Sequence, residues 1–222
     1  MTPIGDYGQL LGLDRPVVTT SEAAAVWQTS GRTAGRRLEA MDEGGLVRRL
    51  RRGLWALDPE MPPFAVAPFL TAPFPAYISF WSAFAHHQMI EQIPRQVSVA
   101  SLDRARRITT TVGTYEIHHL APELFGGFDG FESSGYLATP EKALFDAVYV
   151  RAASGTRAFF PELSLPSGFK DGELEKWTER IESARLRTLV SRRLGEVLGA
   201  ARREGSSRSS AGRHRRRNVV AS

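Results

Sequence analysis

Ser30, Arg32, Thr33, Arg36 and Arg37 lie close together in the chain, and Arg48, Arg49, Arg51 and Arg52 follow soon after. Between residues 32 and 52 seven arginines stand against three acids. Guanidinium groups at that density suit one chemistry best, hydrogen bonding to phosphate oxygens and to the base edges of DNA. Other chemistries have less behind them. His86-His87 and His118-His119 are the best metal candidates. Neighbours on a helix diverge by about 100° and neighbours on a strand point to opposite faces, so neither pair chelates one ion easily, and no third ligand is indicated. Glu141 and Asp146 do not share a helical face well, which argues against an acid–base pair, and Glu141 suits the positive end of a helix dipole. Gly126-Gly127-Phe128-Asp129-Gly130 lacks the Lys and Ser/Thr of a phosphate loop and reads as a turn. The chain has no cysteine, so thiol nucleophiles, disulfides and thiolate zinc sites are excluded. No Gly-x-Ser-x-Gly elbow occurs. These residues point to a protein that is not an enzyme and that uses no metal and no cofactor.

The arginines need elements to position them. Thr19-Thr20-Ser21 can cap a short helix over Glu22–Trp27, with Glu22 at its positive end. Gln28-Thr29-Ser30-Gly31 breaks it, and Ser30 can cap a second helix to about Glu43. On that helix Ala34, Leu38 and Met41 form one apolar face. Arg32 and Arg36 fall opposite, with Thr33 and Arg37 alongside, and Gly44-Gly45 ends it. Leu46–Leu50, a turn at Arg51-Arg52-Gly53 and Leu54–Leu57 read as a hairpin. Two helices and a two-stranded wing make a winged helix-turn-helix, whose second helix enters the major groove by its N-terminal part. The expected DNA contacts are Ser30, Arg32, Thr33, Arg36 and Arg37 on the helix and Arg48, Arg49, Arg51 and Arg52 on the wing.

Residues 1–58 therefore form the expected DNA-binding domain. Residues 59–76 follow with six of the thirteen prolines. Such a density excludes a helix interior, while Phe64, Val66, Phe69, Leu70 and Phe74 are too apolar for a solvated linker. An extended connector packed on a domain is expected. Residues 77–199 mix periods: a short helix over 81–87, a strand over 96–100, a hairpin or two consecutive strands over 107–120, and a helix from Pro140 capped by Thr139, with Leu144 and Val148 on its buried stripe. Apolar residues at helical spacing continue over 172–203 as a helical pair or one long helix. The fold class is α+β. Residues 200–222 are rich in Arg, Ser and Gly and too polar to order themselves, so a disordered basic tail is expected.

Charge follows these divisions. Residues 1–60 are neutral, 61–179 net −4, and 180–222 net +9. The overall excess of +5 is thus mostly a property of the C-terminal end, where Arg208–Arg217 could add sequence-independent phosphate attraction. The N-terminus lacks a basic, then apolar leader, and no apolar run approaches a membrane span of about 18 residues. A cytoplasmic location is expected.

Four blocks carry a family resemblance: YISFWSAFAHHQMIEQIP (77–94), VSVAS (97–101), GTYEIHHLAPELFGG (113–127) and YLATPEKALFDAVY (136–149). They resemble the AbiEi-type antitoxins of bacterial abortive-infection toxin–antitoxin systems, and residues 19–57 resemble the winged helix that precedes this region in that family. The resemblance implies a DNA-binding antitoxin that represses its own operon through inverted repeats in its promoter, where a dimer could form, and whose C-terminal part counters a nucleotidyltransferase toxin encoded next to it. Beyond about residue 155 no family motif appears. Two rivals stay open. One is a stand-alone winged-helix regulator that senses a ligand or partner; the other is a toxin-modifying enzyme, for which no nucleophile, metal set or nucleotide loop is present.

Overall fold

The computed structural model describes residues 3–130, 135–156, 160 and 162–219, with side chains as far as Arg203. It is a mixed α+β protein with a small and a large sheet. The first elements are α1 (Pro3–Leu11), β1 (Val17–Thr19), α2 (Thr20–Val26), α3 (Gly31–Glu43), β2 (Arg48–Arg51) and β3 (Leu54–Ala56). The strands form an antiparallel sheet ordered β1-β3-β2. Two of these elements, α1 and β1, have no counterpart among the elements expected from sequence. Tertiary contacts hold α1: the Trp27 indole donates to the Asp6 carbonyl at 3.1 Å and the Tyr7 hydroxyl to the Leu57 carbonyl at 2.8 Å.

The small sheet is buried on both faces. Val18, Val47, Trp55 and Leu57 join Leu10, Trp27, Leu38 and Met41 in a core under the helices. Val17, Leu50, Leu54 and Ala56 face the other way, into the core of the rest of the chain. Strand side chains alternate sides, so burial of every residue of β3 requires a packed layer on each side. The tip after β6 (Arg106–Thr110) also closes the edge of β2. There the Thr111 amide donates to the Leu50 carbonyl at 3.0 Å and the Thr111 hydroxyl to the Arg49 carbonyl.

The proline-dense stretch is not extended. It contains a helix, α4 (Pro63–Thr71), with Pro68 inside it. Pro63 sits in the first turn, where its missing N–H costs nothing. Burial of Ala65, Val66, Ala67, Leu70 and Thr71 outweighs the weakness that Pro68 brings. The expectation of a packed segment is met, and that of an extended one is corrected.

The second sheet comprises β4 (Ala76–Ile78), β5 (Val97–Ser101), β6, β7 (Gly113–His119), β8 (Phe128–Gly130) and β9 (Tyr136–Ala138), in the order β6-β7-β5-β4-β9-β8. The glycine-rich segment read as a turn thus supplies β8 at its end. Parallel pairing joins β5 to β7 and β4 to β9; the other neighbours run antiparallel. Tyr115 of β7 points towards α4, its hydroxyl donating to the Pro63 carbonyl at 2.8 Å. The opposite face carries α5 (Phe80–His86) and α6 (Pro140–Ala153).

The helix α6 is buried on nearly every side, from Glu141 through Val148, rather than along one stripe. Besides α5, it packs on α7 (Asp171–Glu179) and α8 (Ala184–Val219). The helical pair expected over 172–203 is present, broken near Arg180. The α8 backbone stays helical to Val219, through most of the segment expected to be disordered. Its packed turns, with Val190, Leu194, Leu198 and Ala201 buried, supply the costly nucleus, after which each added residue gains a hydrogen bond. The last three residues of that expected tail lie outside the described residues, as do the side chains of Arg208–Arg217. Among the described residues no helix is long and apolar enough to cross a membrane.

Candidate nucleic-acid interface

The local chemistry of α2 and α3 is that of two capped helices at a tight turn. Thr19 and Glu22 form a reciprocal capping box on α2. The Thr19 amide, then its hydroxyl and Arg15, hold the Glu22 carboxyl below its usual range against a smaller opposing effect of burial. Ser30 caps α3, its hydroxyl accepting from the Thr33 amide at 3.2 Å and lying 3.0 Å from the Thr33 hydroxyl. Ala34, Leu38 and Met41 are buried, which leaves Ser30, Arg32, Thr33 and Arg36 exposed on the outer face of the first turns.

Arg37 behaves differently. It is half-buried, pairs with the buried Asp6 of α1 at 3.3 Å, and lies over the Trp27 ring at 5.6 Å. Its charge serves the packing of α1 against α2 and α3. No sequence signal linked Asp6 to Arg37, because α1 itself was not legible.

The strand arginines also divide. Arg48 donates to the Pro59 carbonyl at 3.2 Å. Arg49 lies 3.6 Å from Glu39 and covers the Trp55 ring at 5.4 Å, while its amide donates to Asp42 at 3.1 Å. Two acids of α3 are thereby engaged by β2, and β2 is held alongside α3. Arg51 and Arg52 are exposed at the turn, where Gly53 adopts φ +77. The exposed cationic set is Arg32, Arg36, Arg51 and Arg52, whereas Arg37, Arg48 and Arg49 have partners within the chain.

The residues that could serve other chemistry are dispersed. His87 meets the Ala138 carbonyl at 2.7 Å and His119 the Asp103 carbonyl at 3.2 Å. His118 packs on the Phe80 ring at 4.3 Å, and burial lowers its pKa. No group of three or more potential ligands forms a metal cluster among the described residues. Glu141 accepts from the Lys170 amide at 2.7 Å and so fastens α6 to the start of α7.

Asp146 belongs to a buried polar cluster that sequence reasoning missed. Its carboxylate pairs with Lys142 and accepts from the Ser79 hydroxyl at 2.7 Å and the Tyr77 hydroxyl at 2.9 Å. The Lys142 ammonium lies 4.5 Å from the Trp177 ring. Burial raises the pKa of Asp146 and of the Tyr77 hydroxyl and lowers that of Lys142. A Lys/Asp pair at i, i+4 amid Ala143, Leu144, Phe145, Ala147 and Val148 was the available signal. Comparison with family models and with curated proteins finds no match.

Proposed function

We propose that the chain is a sequence-specific DNA-binding protein, built on an N-terminal winged helix-turn-helix, and that it acts in the cytoplasm as an antitoxin repressing its own operon. The observation that supports DNA binding is the exposed face of α3, where Ser30, Arg32, Thr33 and Arg36 stand in the first turns while Glu39 lies near Arg49 and Asp42 accepts from the Arg49 amide. A helix N-terminus with hydroxyl and guanidinium donors suits a phosphate and the adjoining base edges. The Arg51-Arg52 turn supplies flanking phosphate contacts that position without reading sequence. The order α1-β1-α2-α3-β2-β3 suits such a reader. The antitoxin role, with a neighbouring nucleotidyltransferase as its target, rests on the four sequence blocks quoted above.

A gel-shift titration with the DNA upstream of the chain's own coding sequence tests the reading. Binding should resist competition by random DNA and be weakened in Arg36→Ala. Equal affinity for own and random sequences would refute it. Co-expression with the adjacent reading frame tests the antitoxin role separately.

A further inference from the structure

Parallel strands β5 and β7 present Ser98, Glu116 and His118 to the face on which α5 and α6 run. Between them and those helices is a cleft of about 450 Å³. That volume falls in the small-molecule range of about 300–1,000 Å³ and is too small for a folded partner. Its apolar wall is Phe80, Trp81, Ala147 and Val150. Phe80 holds φ +55, a left-handed conformation that is costly for a bulky side chain and that clusters at ligand sites.

The polar groups converge from three elements. The Arg151 guanidinium of α6 lies on the Trp81 ring at 4.3 Å and near Phe160 at 5.2 Å. Arg95 reaches the mouth from the loop before β5. Glu116 accepts from Gln96 at 3.3 Å and lies 3.8 Å from His118. Among the described residues that line the cleft, and with the imidazole neutral, two guanidiniums stand beside one carboxylate, an excess of a single positive charge.

We propose that this cleft binds an aromatic monocarboxylate, a ligand that goes beyond the DNA-binding reading and does not rest on it. The flat ring lies against Phe80, Ala147 and Val150, and the carboxylate takes the fork of Arg151 with support from Arg95. A single negative charge matches the excess. A phosphate monoester would bring a second charge towards Glu116, at the cost of like-charge repulsion.

The experiment uses the full chain, with phenylacetate and indole-3-acetate as probes and phenylacetamide, phenyl phosphate and inorganic phosphate as comparators. Calorimetry gives affinity, and nitrogen–proton correlation spectra locate binding at the Trp81 indole and the Ser98 amide. Both carboxylates should bind and shift those signals, the amide should not, and Arg151→Gln should weaken binding by about tenfold or more. Because Arg151 also packs, Arg95→Gln, on an exposed loop, serves as the second variant and should weaken binding without altering the circular dichroism spectrum. Glu116→Gln should tighten it. No carboxylate binding at millimolar concentration, full affinity in both arginine variants, or tighter binding of phenyl phosphate would overturn the proposal.

Discussion

Lys142 and Asp146 are both fully enclosed, so neither charge is relieved by water. Their surroundings are unequal. Asp146 has the ammonium and two hydroxyl donors, whereas Lys142 has one carboxylate and the faces of Trp177, Phe145 and Tyr77 at 4.5, 5.1 and 5.6 Å. Removing one member of a buried pair costs about 3–5 kcal/mol, because the survivor is left uncompensated. Asp146→Asn should reach that range, since ring faces alone do not replace a carboxylate. Lys142→Met should cost less, since Tyr77 and Ser79 still solvate the carboxylate and the acid can take up a proton. The double variant keeps an acceptor for both hydroxyls and carries no buried charge, so it should lie within about 2 kcal/mol of the parent. Urea unfolding of the full chain, followed by tryptophan fluorescence, measures all four proteins. The pH dependence has a defined sign. Burial raises the Asp146 carboxyl in the folded state, and losing Lys142 raises it further. The stability of Lys142→Met should therefore be greatest below the ordinary carboxylate range and fall as pH rises through the raised folded value. Strictly additive single-variant costs, or an Asp146→Asn cost below about 1 kcal/mol, would show that the pair is not a coupled unit.

Arg36→Ala should weaken specific DNA binding by about 1–3 kcal/mol with stability unchanged, while Arg37→Ala should lower the unfolding midpoint first, because it removes the partner of buried Asp6. Arg51→Ala and Arg52→Ala should weaken own and random DNA alike, with the slope of log K against log salt falling by about 0.9 for each phosphate no longer engaged. For Glu22, whose folded pKa is lowered, the stabilisation is present above the ordinary value of 4.5 and lost as pH falls through the folded value; Glu22→Gln should therefore unfold with a smaller difference between pH 7 and pH 3 than the parent, read from urea midpoints. A fragment starting at residue 76 loses α4 and the small sheet from its core, so it should show a lower midpoint than the full chain; an equal midpoint would mean that this packing contributes nothing.

Local signals carried the reading of the α2–α3 pair, the β2–β3 hairpin, the β6–β7 hairpin and the start of α6. Each is decided within a few residues, by a hydroxyl cap at Thr19, Ser30 or Thr139, by Gly53 at a turn, or by alternation along a strand. What stayed illegible is non-local. Helix α1 exists because Trp27, Arg37 and Leu57 hold it from a distance. Helix α4 exists because its apolar residues find a core that outweighs Pro68. The pairing of Ile78 with Leu137 joins strands that no turn connects, so no short-range rule specifies it. The candidate interface was half legible for the same reason. Arginine density marked the segment, yet only tertiary structure separates Arg32, Arg36, Arg51 and Arg52 from the three arginines that pair inside the chain.

The small sheet ties these observations together. A hairpin with one free face would alternate apolar and polar residues, but Leu54, Trp55, Ala56 and Leu57 are all buried. The second apolar row is what the rest of the chain packs on, and Thr111 closes the edge by bonding the carbonyls of Arg49 and Leu50. The turn carrying Arg51 and Arg52 is therefore set by two cores at once. Strand β7 begins just beyond Thr111, and farther along it carries Glu116 and His118 into the cleft beside Arg151. One strand thus runs from the edge of the arginine-bearing sheet to the cleft. A rigid element that meets both places gives a shift at either end a physical route to the other, provided that it has two arrangements to choose between.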